Sequence, residues 1–252
     1  TNLVDNYRHG FLYLFIWIML FAGLIMLQPN ISSGIMLITI SIIMVYVGGA
    51  RLKHIFVSML ASAALIGSAA MIFSHSRSRI VSFVESLFSG GDLNFQVKQA
   101  LYSLGSGGLF GVGIGNSMQS NLFLPEAYGD FIFAILGEEF GMIGSIAVLL
   151  AYLVFLGCGI LIAKKSRDAF GQLLAFGITI SIVFYAFVNV AVTTGVFPTT
   201  GLPLPFISYG GTSLIFLCIS VGILINIAFT NYMRQNGVVH VPDKKPVEGV
   251  SG

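Results

Sequence analysis

Six long apolar stretches, at roughly residues 11–27, 31–50, 55–74, 139–163, 171–195 and 212–230, limit what this chain can become. A helix needs about 20 mostly apolar residues to cross the ~30 Å hydrocarbon core of a bilayer, and each stretch is close to that length. Charged residues make up only 9% of the sequence against 56% hydrophobic, and the mean hydropathy is +0.93. A soluble domain carries about 25% charged residues, so a water-soluble fold is excluded, as is disorder, which needs low hydrophobicity. The sequence predicts an all-α, polytopic transmembrane helix bundle with one large extracytoplasmic loop. It forms a single transmembrane domain over 1–235, followed by a polar, disordered cytoplasmic tail over 236–252. A net charge of +2 gives no reason to expect a nucleic-acid partner. Cys158 and Cys218 each sit alone in an apolar run, a spacing that makes neither a disulfide framework nor a metal site. The chain starts at Thr1 in mid-topology, without a signal-peptide pattern, and is expected to be a fragment.

Lysine and arginine set the orientation. Counting alternate connections, one side holds Arg8, Arg51, Lys53, Lys164, Lys165, Arg167, Arg234, Lys244 and Lys245, nine in all. The other holds Arg77, Arg79 and Lys98, all in the connection 75–130. Both termini are therefore expected in the cytoplasm, with the turns at 28–30 and 196–211 and the loop 75–130 outside. Such a long loop is usually functional. Glu85, Asp92, Glu126 and Asp130, with Glu138 and Glu139, put six of the ten acidic residues on that face. A single helix over 131–163 would be about 50 Å long at 1.5 Å per residue, so residues 131–138 are expected outside the membrane or in a cavity.

Three constellations carry chemistry. The first, GSGGLFGVGIG, places six glycines between Gly105 and Gly115. It matches neither dinucleotide nor P-loop spacing, and reads better as a tight re-entrant turn where backbone packs on backbone. The second is LPEAYGDFIFAILGEEFG, Leu124 to Gly141. Here Asp130 follows a turn and precedes an apolar run, which suits an N-cap and equally a general base at the membrane mouth. Glu138, eight residues on, is expected about 12 Å further along and about 80° round, deeper in the same cavity. The third is FPTTGLPLPFISYGGTS, Phe197 to Ser213, where three prolines and three glycines break any helix. Neither Ser208 nor Tyr209 has a His or Lys placed to make a nucleophile. Arg77 and Arg79 suit either interfacial snorkelling or a phosphate at the membrane surface. Lys98, with Gln96 and Gln99 beside it, is a weaker candidate of the same kind. No cofactor or metal site is indicated, and a divalent cation is not derivable from the sequence.

These residues resemble a known family. GLPLPFISYGGTS is similar to the signature of the SEDS (shape, elongation, division, sporulation) proteins, the FtsW, RodA and SpoVE type. GSGGLFGVGIGNSMQ and LPEAYGDFIFAILGEEFG resemble their large loop and the helix that follows, over roughly residues 20–230 in all. The resemblance implies polymerisation of lipid II into glycan strands at the outer face of the bacterial cytoplasmic membrane, with Asp130 in the place of the family's essential loop aspartate. It implies lipid II and undecaprenyl-linked glycan as ligands, a class B penicillin-binding transpeptidase as partner, and other division or elongation proteins. It further implies that these are the last six of ten helices, and that the fragment alone is inactive. PTTGLPLPF favours FtsW over RodA. The pattern departs in two places. Tyr128-Gly129 stands where the family has His-Thr, and Gln28-Pro29-Asn30 where it has Gln-Pro-Asp. Two readings from other classes remain open, a lipid II flippase or transporter with Asp130 or Glu138 as protonation switch, and a divisome scaffold. The clustering of carboxylates on one face, instead of at mid-membrane, favours the glycosyltransferase.

Overall fold

The computed structural model describes residues 10–28, 30–88, 94–118 and 128–236. Among them it is all-helical, with eight helices: α1 Leu12–Leu27, α2 Ile31–Val47, α3 Leu52–Ile72, α4 Ser74–Phe88, α5 Phe95–Ser106, α6 Ile132–Lys165, α7 Ala169–Thr193 and α8 Gly211–Gln235. Helices α3, α6, α7 and α8 are each long and apolar enough to cross a membrane, while α1 and α2 are shorter apolar helices. Asp92, Glu126, Pro29, Lys244, Lys245, Arg8 and the tail beyond Asn236 lie outside the described residues.

Local chemistry sets the starts. The Asn30 side chain accepts from Ser33 N at 3.2 Å, Asn94 from Gln96 N at 3.0 Å and Asp168 from Gly171 N at 2.7 Å. Each satisfies one of the orphan donors of a helix N-terminus. Helix α6 has Phe131 at its N-cap and no side-chain cap, so Asp130 stands one residue ahead of the position the N-cap reading gave it.

The connection treated as a loop over 75–130 contains α4 and α5. Helix α4 continues from α3 after a break at Phe73, whose backbone is extended (φ −94°, ψ 106°). Helix α5 buries Val97, Ala100 and Ser103, a three-residue spacing that marks one helix face. Val97 and Ala100 join Met36 of α2, Phe131, Ala134 and Ile135 of the α6 region, Val188 and Val192 of α7, and Leu202 in one core. This core ties α2, α5, α6 and α7 together, with Phe131 directly following Asp130.

Helix α6 breaks at Gly141, where φ is 68° and ψ −165°. An unbroken helix would bond the N–H groups of Met142 and Ile143 to the carbonyls of Glu138 and Glu139. Instead the glycine-rich loop is stitched into the gap. Met142 N donates to Gly108 O (2.9 Å) and Ile143 N to Leu109 O (3.3 Å), while Val112 N and Gly113 N donate to Glu138 O (2.9 Å) and Glu139 O (3.1 Å). Glycine is required because a Cβ on Gly111 would collide with the Glu139 carbonyl, and one on Gly141 would meet Gly111 N and Leu109 O at 2.5 Å. The loop is thus backbone packed on backbone, and its amides serve helix oxygens. The break divides α6 into a short outer piece over 132–140 and a piece over 142–165, about 36 Å long at 1.5 Å per residue and sufficient to cross a bilayer.

Candidate functional site

The segment after α7 cannot be helical, with Pro198, Pro203 and Pro205 interrupting it. It folds against the turn that precedes α6. Three consecutive carbonyls of that turn are each held by a different donor. Tyr209 N donates to Tyr128 O at 2.9 Å, the Ser208 hydroxyl to Gly129 O at 2.6 Å, and Asn189 Nδ2 to Asp130 O at 2.7 Å. The Ser208 oxygen also accepts from Leu204 N at 2.6 Å, and the Tyr152 hydroxyl of α6 donates to Pro205 O. Ser208 is therefore engaged as a fastener, in keeping with its rejection as a nucleophile. Because the turn is read through its carbonyls, Tyr128-Gly129 in place of His-Thr leaves these three bonds available.

Asp130 is half-buried at this junction. Its Oδ2 lies 3.5 Å from the position a Cβ on Gly201 would take, and Gly201 is in the left-handed region (φ 72°). Glycine suits the left-handed backbone here, while a Cβ would still make only ordinary van der Waals contact with the carboxylate. Thr199, Thr200 and Leu202, flanking Gly201, line a cavity of about 580 Å³. Asn30, Ser32, Thr39 and Arg79 give this cavity polar groups, while Ile35, Met36, Phe184 and Val188 give it an apolar wall. An amphiphile with a polar head and an apolar tail matches such a lining. A second cavity, of about 740 Å³, follows α7 from Phe170 to Tyr185 and ends against Pro203 and Pro205. Its other wall is α8 from Ser213 to Ser220, and its lining is dominated by apolar side chains.

The structure separates the predicted cations. Arg79 lines the cavity of about 580 Å³, and its Nη1 donates to Thr199 O at 3.4 Å. Arg77, two residues away on α4, is exposed. Gln96, Lys98 and Gln99 are half-buried on α5, and none of the three lines either large cavity. Asn30, where the family pattern has an acid, caps α2 and lines the Arg79 cavity.

Glu138 lies apart from this cavity. It is 3% exposed and accepts from Ser103 Oγ (2.8 Å), Ser117 Oγ (2.6 Å) and Met118 N (3.1 Å). Such a buried carboxylate is tolerated because donors surround it. Its neighbour Glu139 accepts from Gly115 N at 2.9 Å. Both carboxylates bind the glycine-rich loop to α6. The sequence reading missed Asn189, Ser103, Ser117 and Tyr152 as site-building residues. Asn189 carried a usable signal, a polar side chain within an apolar span.

A bundle of membrane-length helices, with a polar cavity and a half-buried aspartate gathered at one end, defines a polytopic integral membrane protein. The profile of a family described as "Cell cycle protein", comprising FtsW, RodA and SpoVE, matches residues 1–233, and the chain belongs to that family. It is 37% identical over 228 residues to "Stage V sporulation protein E" of Bacillus subtilis, covering 89% of this chain and 62% of the relative. It is also 37% identical over 219 residues to the "Probable peptidoglycan glycosyltransferase FtsW" of Trichlorobacter lovleyi, covering 87% and 58%. The chain thus spans about three fifths of the length of these relatives. The fold is shared with a chain of a peptidoglycan synthase complex that coordinates polymerisation and crosslinking, at TM-score 0.69 and 23% identity over 89% of this chain and 63% of the other. It is shared too with a point mutant of the Thermus thermophilus rod shape determining protein RodA, at TM-score 0.58 and 23% identity over 91% and 61%.

Proposed function

We propose that this protein is a peptidoglycan glycosyltransferase that polymerises lipid II at the outer face of the bacterial cytoplasmic membrane. The observation that carries the reading is the placement of the Asp130 carboxylate against Gly201, beside a cavity that combines the Arg79 guanidinium with an apolar wall. In the proposed reaction the C4 hydroxyl of one lipid-linked disaccharide attacks the anomeric carbon of a growing chain. Asp130 takes the hydroxyl proton as a bond forms from the C4 oxygen to the anomeric carbon. The bond from that carbon to the phosphate oxygen breaks, and undecaprenyl pyrophosphate leaves with inversion. Arg79 supplies charge to the pyrophosphate, a task suited to guanidinium, and the two cavities accommodate apolar parts of the substrates. Arg77, Lys98, Gln96 and Gln99 belong to the outer rim in this scheme. For Glu138 the surroundings support a strut within the loop attachment in place of a second acid or base. The likeness to a chain of a synthase complex that coordinates polymerisation and crosslinking supports a class B penicillin-binding transpeptidase as partner.

The test is Asp130→Asn in the full-length protein with purified lipid II, reading glycan polymer by gel. The substitution leaves in place the backbone carbonyl that Asn189 holds, so the turn keeps its fastening. A general base contributes about 10²–10⁴-fold, and the expected result is normal expression with at least about a hundredfold loss of rate. An Asp130→Asn protein that polymerises normally refutes the base assignment.

A further inference from the structure

We infer that Asn189 is a positioning residue for the Asp130 base, holding the aspartate turn and the cavity-lining segment at a fixed separation through one side-chain amide. The inference rests on the reading of Asp130 as base. Asn189 lies on α7 and is 1% exposed. Its Nδ2 spends its two N–H groups on two backbone carbonyls from different segments, Asp130 O at 2.7 Å and Leu202 O at 2.8 Å. Those segments flank the place where the Asp130 carboxylate meets Gly201.

Two features make this more than packing. First, the amide orientation is fixed, because the opposite orientation would point Oδ1 at two carbonyl oxygens. Second, Asn189 Oδ1 is buried without a hydrogen-bond partner among the described residues. Buried polar atoms are nearly always paired, so this side chain is held where its donors are wanted, at the expense of its acceptor. Ser208 and Tyr209 fasten the neighbouring carbonyls from within the loop itself, whereas Asn189 brings its two bonds from a membrane-length helix. It is a polar link from this junction to α7, beside the apolar contacts of Val188 and Val192, and the rigid element sets where the loops stand.

The experiment compares wild type, Asn189→Leu, Asp130→Asn and the double variant in the full-length protein, by steady-state lipid II polymerisation. Asn189→Leu keeps the number and branching of side-chain heavy atoms and removes both donors. Asn189→Ser, which keeps one hydroxyl donor and cannot overpack, is read in the same assay should the leucine variant fail to fold. Small misplacements of a reacting group cost up to about a hundredfold. The expected result is a fall in kcat of about tenfold or more with the KM for lipid II within about twofold of wild type. In the Asp130→Asn background the same substitution should cost little further, since the group it positions is gone. Wild-type kcat in the Asn189 variants, a loss confined to KM, or an equal further loss in the Asp130→Asn background would each overturn the inference while leaving Asp130 as base. Full activity of Asp130→Asn would instead remove the base and the inference with it.

Discussion

Arg77 and Arg79 were indistinguishable in the sequence, and a helix separates them. Two residues apart on α4, they point about 200° away from each other. Arg79 lines the cavity and reaches Thr199 O, while Arg77 is exposed. A hydrogen bond to a charged group is worth about 1.5–3 kcal/mol. Arg79→Ala is therefore expected to raise the KM for lipid II by about tenfold or more, and Arg77→Ala to leave it within about twofold. Arg79→Lys should recover only part, because lysine lacks the planar fork. Equal effects of the two alanine variants in steady-state kinetics would return both arginines to the membrane interface. The position of Asp130 just ahead of α6 was legible in the sequence through its turn and the apolar run behind it. The partners of Glu138 were not, because Ser103 and Ser117 lie 35 and 21 residues earlier in the chain and no local pattern connects them. Position on an ideal helix put Glu138 deeper in one cavity with Asp130, and tertiary hydrogen bonds to Ser103 and Ser117 hold it elsewhere.

At the scale of elements, the long apolar helices were legible from hydropathy alone, because lipid imposes length and composition. The break in α6 was half-legible. Excess length required that residues 131–138 leave the span, but the repair by loop backbone involves atoms that every residue carries. That repair makes Gly141 demanding. An alanine there would occupy the left-handed region and press a Cβ against Gly111 N and Leu109 O at 2.5 Å. Gly141→Ala is expected to destabilise by about 2–5 kcal/mol, seen as a lowered thermal midpoint in detergent; an unchanged midpoint would mean that the loop is not stitched to α6. Between α6 and α7, the backbone amide of Gly171 holds the Asp168 carboxyl below its ordinary value of 3.8, with Ser166 and Arg234 assisting. A depressed folded value contributes stability above the unfolded value, lost as pH falls through the folded one. The Asp168→Ala protein should thus be less stable than wild type at neutral pH, and the gap should close as pH drops below 3.8. A gap in thermal midpoint that persists unchanged into that acid range would assign the effect to something other than the ionised cap.

For the whole molecule, contacts sort the polar groups into two ends. Arg79 bonds Thr199, and Asn189 bonds the Asp130 turn near the end of α7. Arg234, at the end of α8, lies 3.4 Å from Asp168 at the start of α7, which fixes the opposite end. Lys164, Lys165 and Arg167 precede Asp168 directly, and α2, starting at the cavity with Asn30, delivers Arg51 and Lys53 to the same end. Among the described residues the Asp168 end therefore gathers six basic side chains and the Asp130 end three. By the positive-inside bias the Asp130 end is expected to face outward, as the proposed polymerisation of a lipid-linked sugar requires. Cysteine labelling checks this, with sites chosen by exposure. Ser166 is 3% exposed and Thr199 9%, so neither would report its side of the membrane. Ser106, Arg167 and Asn236 are exposed and suit the purpose, after replacement of the exposed native Cys158 and Cys218. A membrane-impermeant maleimide on intact cells is expected to modify a cysteine at position 106 and to spare those at 167 and 236 until the membrane is permeabilised. Modification at 167 or 236 in intact cells would invert the bundle, put Asp130 and Arg79 in the cytoplasm, and leave the proposed polymerase without access to an outward-facing substrate.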